Sequence, residues 1–336
     1  MKEAVLYDRL DQDRVRCRLC AHQCLIKPEA TGLCGVRLNQ AGRLVSLVYG
    51  RAVSANLDPI EKKPLFHFQP GTTSMSIATV GCNLSCVFCQ NHEISQMPRD
   101  ENRISGGDLP PDEVVRRARL GRAASISYTY TEPTVYFEYA LDTARAASAA
   151  GLKNVFVTNG YMSAAALEMI GPDLHAANVD LKAFKDDFYK KLCGARLEPV
   201  KESIQRMWSA GTWVEVTTLL IPGKNDDEKE LAALAEWLAG VSPDIPWHVS
   251  RFHPTYRLTE VRSTPASSIH RAREIGLEAG LKYVYAGNLW GDAGEKTYCP
   301  GCGLVLLDRI GFSVSANRLQ GGVCPSCRAP IAGVWT

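Results

Sequence analysis

The sequence has no apolar run long enough to cross a membrane and no apolar signal-peptide core near its start. A bilayer span takes about 20 consecutive apolar residues, whereas residues 1–4 lead directly into polar sequence. In the absence of such segments we expect a cytoplasmic protein with no membrane partner.

An excess of charge of either sign is also absent. The 336 residues include 38 Lys and Arg against 36 Asp and Glu, so the net charge is only +2 at pH 7. So small a charge produces no field over the whole protein that would attract a polyanion, and we do not expect nucleic acid as a partner. Hydrophobic residues make up 46% of the chain, which excludes a disordered protein.

Cysteine is the residue type whose use stands out. The chain has 12 cysteines, and all but Cys193 fall into three groups at short spacings. Thiols placed this close together in a reducing compartment are metal ligands more often than disulfides. The groups are Cys17, Cys20, Cys24 and Cys34; Cys82, Cys86 and Cys89; and Cys299, Cys302, Cys324 and Cys327.

From about residue 74, short β-rich stretches alternate with amphipathic ones. The predicted strands cover residues 74–80, 124–128, 154–158, 178–181, 213–220, 246–250 and 283–286, and the predicted helices cover 112–122, 133–150 and 226–239. This alternation predicts an α/β fold of parallel βαβ units, arranged as a full or partial (β/α) barrel. In such barrels the chemistry takes place on the loops that follow the carboxyl ends of the strands.

The two ends of the chain lack this alternation. Each end contains one group of four cysteines among turn-forming residues. We therefore predict a cysteine-rich cap over residues 1–70, the barrel over 71–295 and a zinc-ribbon or rubredoxin-like module over 296–336.

The central cysteines form a CxxxCxxC loop directly after the first predicted barrel strand. A 4Fe-4S cluster takes one thiolate per iron, so three thiolates leave the fourth iron free to bind a substrate or cofactor. The alternative is a structural zinc, which normally takes four ligands and would need His92 or Cys193 as the fourth.

This loop and several other segments resemble the radical S-adenosylmethionine (SAM) superfamily. More narrowly, the chain resembles the radical SAM enzyme of the AmmeMemoRadiSam group, a relative of pyruvate formate-lyase activating enzymes. The segments that carry the resemblance are CRLCAHQC at 17–24, GLCGVR at 32–37, DPIEKKPL at 58–65, TVGC at 79–82, CQN at 89–91 and YTYTEPT at 128–134.

The resemblance implies a 4Fe-4S cluster on the central cysteines and SAM on its open iron. Phe88 occupies the aromatic position of the loop, and Glu132 matches a residue that meets the SAM amino group. The remaining cofactor-site residues that the resemblance implies are Asn159, Asp180, Lys182 and Asn225.

Each of these cofactor residues also has a structural interpretation. Glu132 with Pro133 is typical of a helix start, and an Asn-Gly turn such as that of Asn159 needs no functional explanation. Asp180 and Lys182 alternate to the same side of a strand and could form an internal ion pair. The side chain of Asn225 or of Asp226 could instead cap the helix that follows.

The two terminal cysteine groups both offer four soft thiolates. The paired CxxC motifs of the C-terminal group suit zinc, with rubredoxin-type iron as the alternative. For the N-terminal group the spacing does not decide between zinc and an auxiliary iron-sulfur cluster.

The family resemblance implies that the protein reductively cleaves SAM to a 5′-deoxyadenosyl radical, which removes hydrogen from a small molecule or from a glycine of a protein. It also implies an electron donor such as flavodoxin or ferredoxin, and Memo-like and AMMECR-like partners. The sequence identifies no catalytic acid, base or radical relay. The alternative function is a non-catalytic iron-sulfur electron carrier or a zinc-stabilised docking protein. The presence of three central cysteines, and not four, counts against this alternative.

Overall fold

The computed structural model describes every residue, from Met1 to Thr336. The first strands are β1 (Lys2–Glu3), β2 (Tyr7–Arg9), β3 (Val15–Cys17), β4 (Leu25–Ile26), β5 (Arg37–Gln40), β6 (Arg43–Ser46), β7 (Arg51–Ala52) and β8 (Ser54–Pro59). They form two antiparallel three-stranded sheets, in the spatial orders β1-β6-β5 and β2-β3-β4, while β8 joins a larger sheet.

The larger sheet is the centre of the molecule. The strands that follow are β9 (Thr73–Ala78), β10 (Gly107–Asp108), β11 (Ser125–Tyr128), β12 (Lys153–Thr158), β13 (Ala176–Asp180), β14 (Trp213–Leu220), β15 (Trp247–Arg251) and β16 (Val284–Gly287). Apart from β10, which pairs with β7, they form an eight-stranded sheet in the order β16-β15-β14-β13-β12-β11-β9-β8. Seven strands are parallel, and β8 runs antiparallel to β9 at one edge. Because β8 and β16 are both edges, the predicted barrel is a partial one.

The predicted strands are all found, with ends that agree to within two residues. β8 lies inside the segment predicted to be the cap and was not predicted as a strand of the barrel sheet. The α/β fold class is confirmed, whereas the boundaries of the three predicted domains stay predictions.

Helices connect the parallel strands. They are α1 (His92–Ser95), α2 (Met97–Asp100), α3 (Pro111–Leu120), α4 (Phe137–Ala149), α5 (Ala164–Ile170), α6 (Asp186–Phe188), α7 (Glu198–Ser209), α8 (Glu228–Val241) and α9 (Ala266–Glu278). The predicted helix over 133–150 is divided. Its first turn, Pro133–Tyr136, is a 3₁₀ helix because the Glu132 carboxylate accepts a bond from the Thr134 amide and caps a tight turn.

The core lies between the sheet and these helices. Strands such as β13 and β14 are buried on both faces, as expected for a parallel sheet covered by helices. Parallel strands place their carboxyl ends at one edge, so the loops after β9, β11, β12 and β13 gather there and form the candidate site.

The last strands, β17 (Thr297–Tyr298), β18 (Val305–Ile310) and β19 (Ser313–Asn317), form a separate antiparallel sheet. A small hydrophobic cluster of its own holds this sheet against β16 and includes Phe66, Tyr285 and Leu307. None of the helices in the structure has the length and apolar character that a membrane crossing needs.

Candidate iron-sulfur and SAM site

The central cysteine loop leaves the sheet at the carboxyl end of β9. Cys86 is buried, while Cys82 and Cys89 are half-buried. Gly81 precedes the first cysteine with φ of +101°, and a Cβ on it would lie only 2.7 Å from a Val36 methyl carbon. Only glycine fits such a backbone conformation and such a close approach, so Gly81 fixes the start of the loop against the N-terminal part.

A short helical segment holds the other side of the loop. The amide of Ser85 donates to the carbonyl of Cys193 at 2.8 Å, and the amide of Val87 donates to the carbonyl of Leu192 at 2.9 Å. Both acceptors belong to the π-helix Tyr189–Cys193. The loop is therefore a braced structure and not a free surface segment.

Hydrogen-bond donors lie beside two of the three sulfurs, those of Cys82 and Cys89. The backbone amide of Leu84 lies 3.4 Å from the Cys82 sulfur, and the side-chain nitrogen of Asn159 lies 3.7 Å from it. The Ser95 hydroxyl lies 3.2 Å from the Cys89 sulfur. Burial raises the pKa of Cys82 and of Cys89. A bound metal overcomes such a shift because it deprotonates its thiol ligands. The donors then stabilise the thiolates, as expected for a site that holds an anionic iron-sulfur cluster.

Cys86 has a different environment. The Cys193 thiol beside it donates to it, and Lys182 places a positive charge nearby, so the pKa of Cys86 is lowered although burial opposes the shift. The mononuclear zinc alternative requires either Cys193 or His92 to complete a tetrahedral site. Cys193 does lie near the loop, but these four cysteines do not converge on one point, and the His92 ring stacks on Tyr256 instead.

Glu132 is a buried junction between two of the loops, with only 1% of its surface exposed. It accepts bonds from the Thr134 amide at 3.0 Å, the Thr158 hydroxyl at 2.7 Å and the Asn159 amide at 2.8 Å. Burial nevertheless raises its pKa. The helix-start interpretation is thus realised, with Glu132 itself as the cap, while its contact with SAM stays a prediction.

Asn159 connects this junction to the cysteine loop. Its side-chain amide donates to the Asn83 side-chain oxygen at 2.8 Å and also approaches Cys82. The turn that contains Asn159 therefore reaches the site that the family resemblance implied. The sequence analysis missed Asn83, because an unremarkable residue inside a CxxxC spacer carries no signal of its own.

Asp180 and Lys182 form the ion pair that alternation along a strand suggested. Their charged atoms lie 2.8 Å apart, and the ammonium lies 6.0 Å from the centre of the Phe88 ring. Burial would lower the pKa of Lys182, but the charges of Asp180 and Cys86 raise it well above its usual range. The pair thus lies beside the cysteine loop. Its role toward SAM, like that of Phe88, stays a prediction.

Asn225 is fully engaged by backbone groups. Its amide donates to the carbonyls of Lys182 and Leu219 at 2.7 and 2.9 Å, and its oxygen accepts from the Ile221 amide at 2.7 Å. These bonds fix the turn after β14 against the end of β13. Asp227, and not Asn225 or Asp226, caps α8. A direct contact of Asn225 with SAM stays a prediction.

The C-terminal cysteines converge on one point. The sulfurs of Cys299 and Cys327 lie 3.5 Å apart, those of Cys302 and Cys324 lie 3.7 Å apart, and all four are within 4.8 Å of one another. A tetrahedral zinc with Zn–S bonds of about 2.3 Å requires sulfurs about 3.8 Å apart. Backbone amides of Cys327 and Ser326 help to lower the pKa of Cys324 to about 7. The geometry suits a mononuclear metal, and zinc stays the predicted one.

The N-terminal cysteines have another arrangement. Cys17, Cys20, Cys24 and Cys34 line one cavity, together with His22 and Asn83 among others. Cys17 is buried, and the other three are half-buried. Unlike the C-terminal four, they do not converge on one point.

Comparison with known proteins places the central region in a family. Residues 76–235 match the family model of the radical SAM superfamily. The chain is 45% identical over 321 residues to an uncharacterized protein, MJ0808, of Methanocaldococcus jannaschii, and the alignment covers 95% of each protein.

Solved structures show the same fold at low sequence identity. SuiB of Streptococcus suis, in a crystal structure with S-adenosylmethionine, matches 72% of this chain and 56% of its own with a TM-score of 0.52 and 15% identity. A radical SAM methyltransferase from Sphaerobacter thermophilus matches 68% of this chain and 71% of its own, with a TM-score of 0.51 and 19% identity.

Proposed function

The chain belongs to the radical SAM superfamily, and we propose that it cleaves SAM reductively at a 4Fe-4S cluster held by Cys82, Cys86 and Cys89. The resulting 5′-deoxyadenosyl radical would take a hydrogen atom from the substrate. The observation that supports this proposal is the braced loop of three thiols at the carboxyl end of β9, with donors directed at its sulfurs.

The protein residues would hold and tune the cofactor. When bound, the cluster supplies the single electron that breaks the S–C5′ bond of SAM. The thiolate ligands would be stabilised by the backbone amide of Leu84, the side-chain amide of Asn159 and the hydroxyl of Ser95. Lys182 would offset their negative charge next to Cys86.

We propose that Glu132 orients SAM through Oε2, the carboxylate oxygen that accepts fewer hydrogen bonds within the protein. Oε1 accepts bonds from both Thr134 and Thr158, whereas Oε2 accepts only the Asn159 amide. A carboxylate oxygen has room for a further donor, and the SAM ammonium is a strong one. Phe88 packs against Phe188 beside the loop, and this apolar contact would help to keep water from the site.

The substrate and partners follow from the family resemblance alone. We propose a hydrogen donor that is either a small molecule or a glycine of a partner protein, and flavodoxin or ferredoxin as the electron donor. Memo-like and AMMECR-like proteins are the proposed partners, and the cytoplasm the proposed location.

The experiment is anaerobic reconstitution of the protein with iron and sulfide, followed by SAM and a strong reductant. We expect 5′-deoxyadenosine and methionine in equal amounts. Cys89→Ala removes a proposed ligand and should abolish both products. Cys193→Ala is the matched control, since it removes a neighbouring buried thiol that is not a proposed ligand, and it should retain cleavage.

Two results would contradict the proposal. An intact cluster that yields no 5′-deoxyadenosine would favour the electron-carrier function. Equal loss of iron and of products in Cys89→Ala and Cys193→Ala would instead favour a site with four protein ligands.

A further inference from the structure

The N-terminal cysteine cavity has the features of a second cofactor site. Its four thiols come from the end of β3, the loop before β4 and the loop before β5, and they face one shared cavity. Four thiols gathered at one cavity suit the binding of a metal ion or of an inorganic cluster.

The separation of the sulfurs argues against a mononuclear ion. In the same protein, the C-terminal sulfurs approach to 3.5 and 3.7 Å, as one tetrahedral metal requires. No three of the N-terminal sulfurs lie within 4.8 Å of one another, although all four line the same cavity. Ligands that surround a space without converging on its centre fit a larger inorganic group.

Two buried donors at this cavity have no partner. The side-chain nitrogen of Asn83 and the Nε of Arg37 make no hydrogen bond, although these residues are only 3% and 2% exposed. Both residues line the cavity. A buried donor without a partner is costly, and a group bound in this cavity would satisfy both donors.

An iron-sulfur cluster would supply the missing acceptors. Its thiolate and sulfide sulfurs accept hydrogen bonds from amide and guanidinium groups, which compensate its negative charge and tune its potential. The other guanidinium nitrogens of Arg37 are already bound to Glu138 at 2.8 Å each. This pair fixes the Arg37 side chain and leaves its Nε for the cavity.

We propose that Cys17, Cys20, Cys24 and Cys34 hold a second 4Fe-4S cluster, and not zinc. With one cysteine for each iron, this cluster has no open position for SAM. Its surroundings touch the central loop, since His22 donates to the Asn83 carbonyl at 2.9 Å and Asn83 in turn accepts from Asn159. The inference depends on the N-terminal residues and on Asn83, and not on the proposed SAM chemistry.

The test uses the full chain with Cys82, Cys86 and Cys89 all changed to Ala, purified and reconstituted without oxygen. This variant lacks the central cluster whatever its function. We expect about four iron and four sulfide per chain to remain, with the Mössbauer spectrum of a cubane cluster. We also expect about one zinc, from the C-terminal set.

An iron content near zero in the triple variant, together with about two zinc per chain, would overturn the proposal. About two irons per chain would overturn the cubane assignment. The matched variant adds Cys20→Ala and Cys34→Ala to the triple variant and should lose the remaining iron while it keeps the C-terminal zinc.

Two further measurements keep the test decisive if the triple variant folds poorly. Wild-type protein labelled with ⁵⁷Fe should contain about eight irons per chain, whereas a zinc site predicts about four. Asn83→Asp replaces the unpartnered amide by a carboxylate of equal size. If the N-terminal site holds a cluster, this change should shift its reduction potential to a more negative value, and an unchanged potential would contradict the assigned contact.

Discussion

The two terminal cysteine sets have the same number of thiols but differ in the distances between their sulfurs and in their exposure to solvent. The C-terminal four converge within 4.8 Å, and two of them, Cys302 and Cys327, are exposed. None of the N-terminal four is exposed, and together they line a cavity where two donors lack partners. Under the proposed assignments, the number of ligands does not select the metal, whereas the distances between the sulfurs and the groups around them do.

Both sets are attached to the large sheet by buried charged groups, but in different ways. Near the N-terminal set, Arg37 forms two bonds to Glu138 on α4, and both side chains are almost completely buried. Burial would lower the pKa of Arg37, but the carboxylate of Glu138 raises it well above its usual range. This attachment is a single, complete ion pair.

The C-terminal module is attached by a network around the His67 ring and the Arg309 guanidinium. The ring of His67 lies 2.6 Å from the Ala332 carbonyl and 2.5 Å from the Tyr285 hydroxyl. Arg309 is completely buried over the Phe66 ring, donates to Thr297 and lies 3.8 Å from the nearest carboxylate. This cation is therefore inaccessible to solvent.

The largest effect should come from the loss of the C-terminal metal. Cys324→Ala removes a buried ligand, and a structural zinc can contribute on the order of 10 kcal/mol to the folding of a small module. We expect the variant to lose about one zinc per chain and to be cleaved by proteases within residues 296–336, with its iron content unchanged. Zinc analysis and limited proteolysis measure both effects.

Ser326→Ala is the matched control for this experiment. It changes an exposed side chain in the same CxxC turn but keeps the backbone amide beside Cys324. The control should behave as wild type. If Cys324→Ala also kept its zinc and its protease resistance, the convergence of the four sulfurs would not be the basis of the module's stability.

The second effect tests the attachment of the N-terminal set. Glu138→Gln leaves the Arg37 guanidinium buried without its carboxylate, and removal of one partner of a buried ion pair typically costs about 3 to 5 kcal/mol. Denaturant unfolding should therefore show a large loss of free energy of unfolding. We also expect the variant to lose iron from the N-terminal set, because Arg37 loses its fixed position.

An exposed ion pair supplies the comparison for that change. Glu113 on α3 pairs with Arg116 and Arg117, both of which are largely in solvent. Glu113→Gln should cost about 0 to 1 kcal/mol. Equal losses in the two variants would mean that burial of the Arg37 pair does not determine its contribution.

The sequence predicted those features that repeat or that cluster along the chain. The seven parallel strands follow from the alternation of β-rich and amphipathic segments, and the metal sites follow from cysteines a few residues apart. Both are local patterns. The position of the central loop at the carboxyl end of a strand then follows from the fold class.

Features that depend on contacts between distant segments could not be predicted. Cys193 and Cys86 are more than a hundred residues apart in the sequence, and they lie side by side because a π-helix packs on the loop. The unpartnered amide of Asn83 becomes evident only when the N-terminal cysteines lie next to it. The choice between zinc and a cluster likewise depends on distances between sulfurs, which are not a property of their spacing in the sequence.

The smallest expected effect is a difference in how the stability of the two attachments depends on pH. Burial lowers the pKa of His67 to about 4, whereas the unfolded chain has a His pKa of about 6.5. Between these values the unfolded state binds the proton and the folded state does not, so stability falls as the pH falls. The Arg37 attachment should not respond in this interval, because Arg37 holds the pKa of Glu138 below its usual value despite burial.

We therefore expect His67 to cost the C-terminal attachment about 2 kcal/mol between pH 7 and pH 5. Proteolysis within residues 296–336 should increase over this range before the N-terminal part becomes sensitive. His67→Gln retains a hydrogen-bonding side chain that does not titrate, and its stability should depend less on pH than that of wild type. The same slope in both proteins would show that the acid response does not arise from His67, and that the C-terminal attachment is no more sensitive to pH than the Arg37 ion pair.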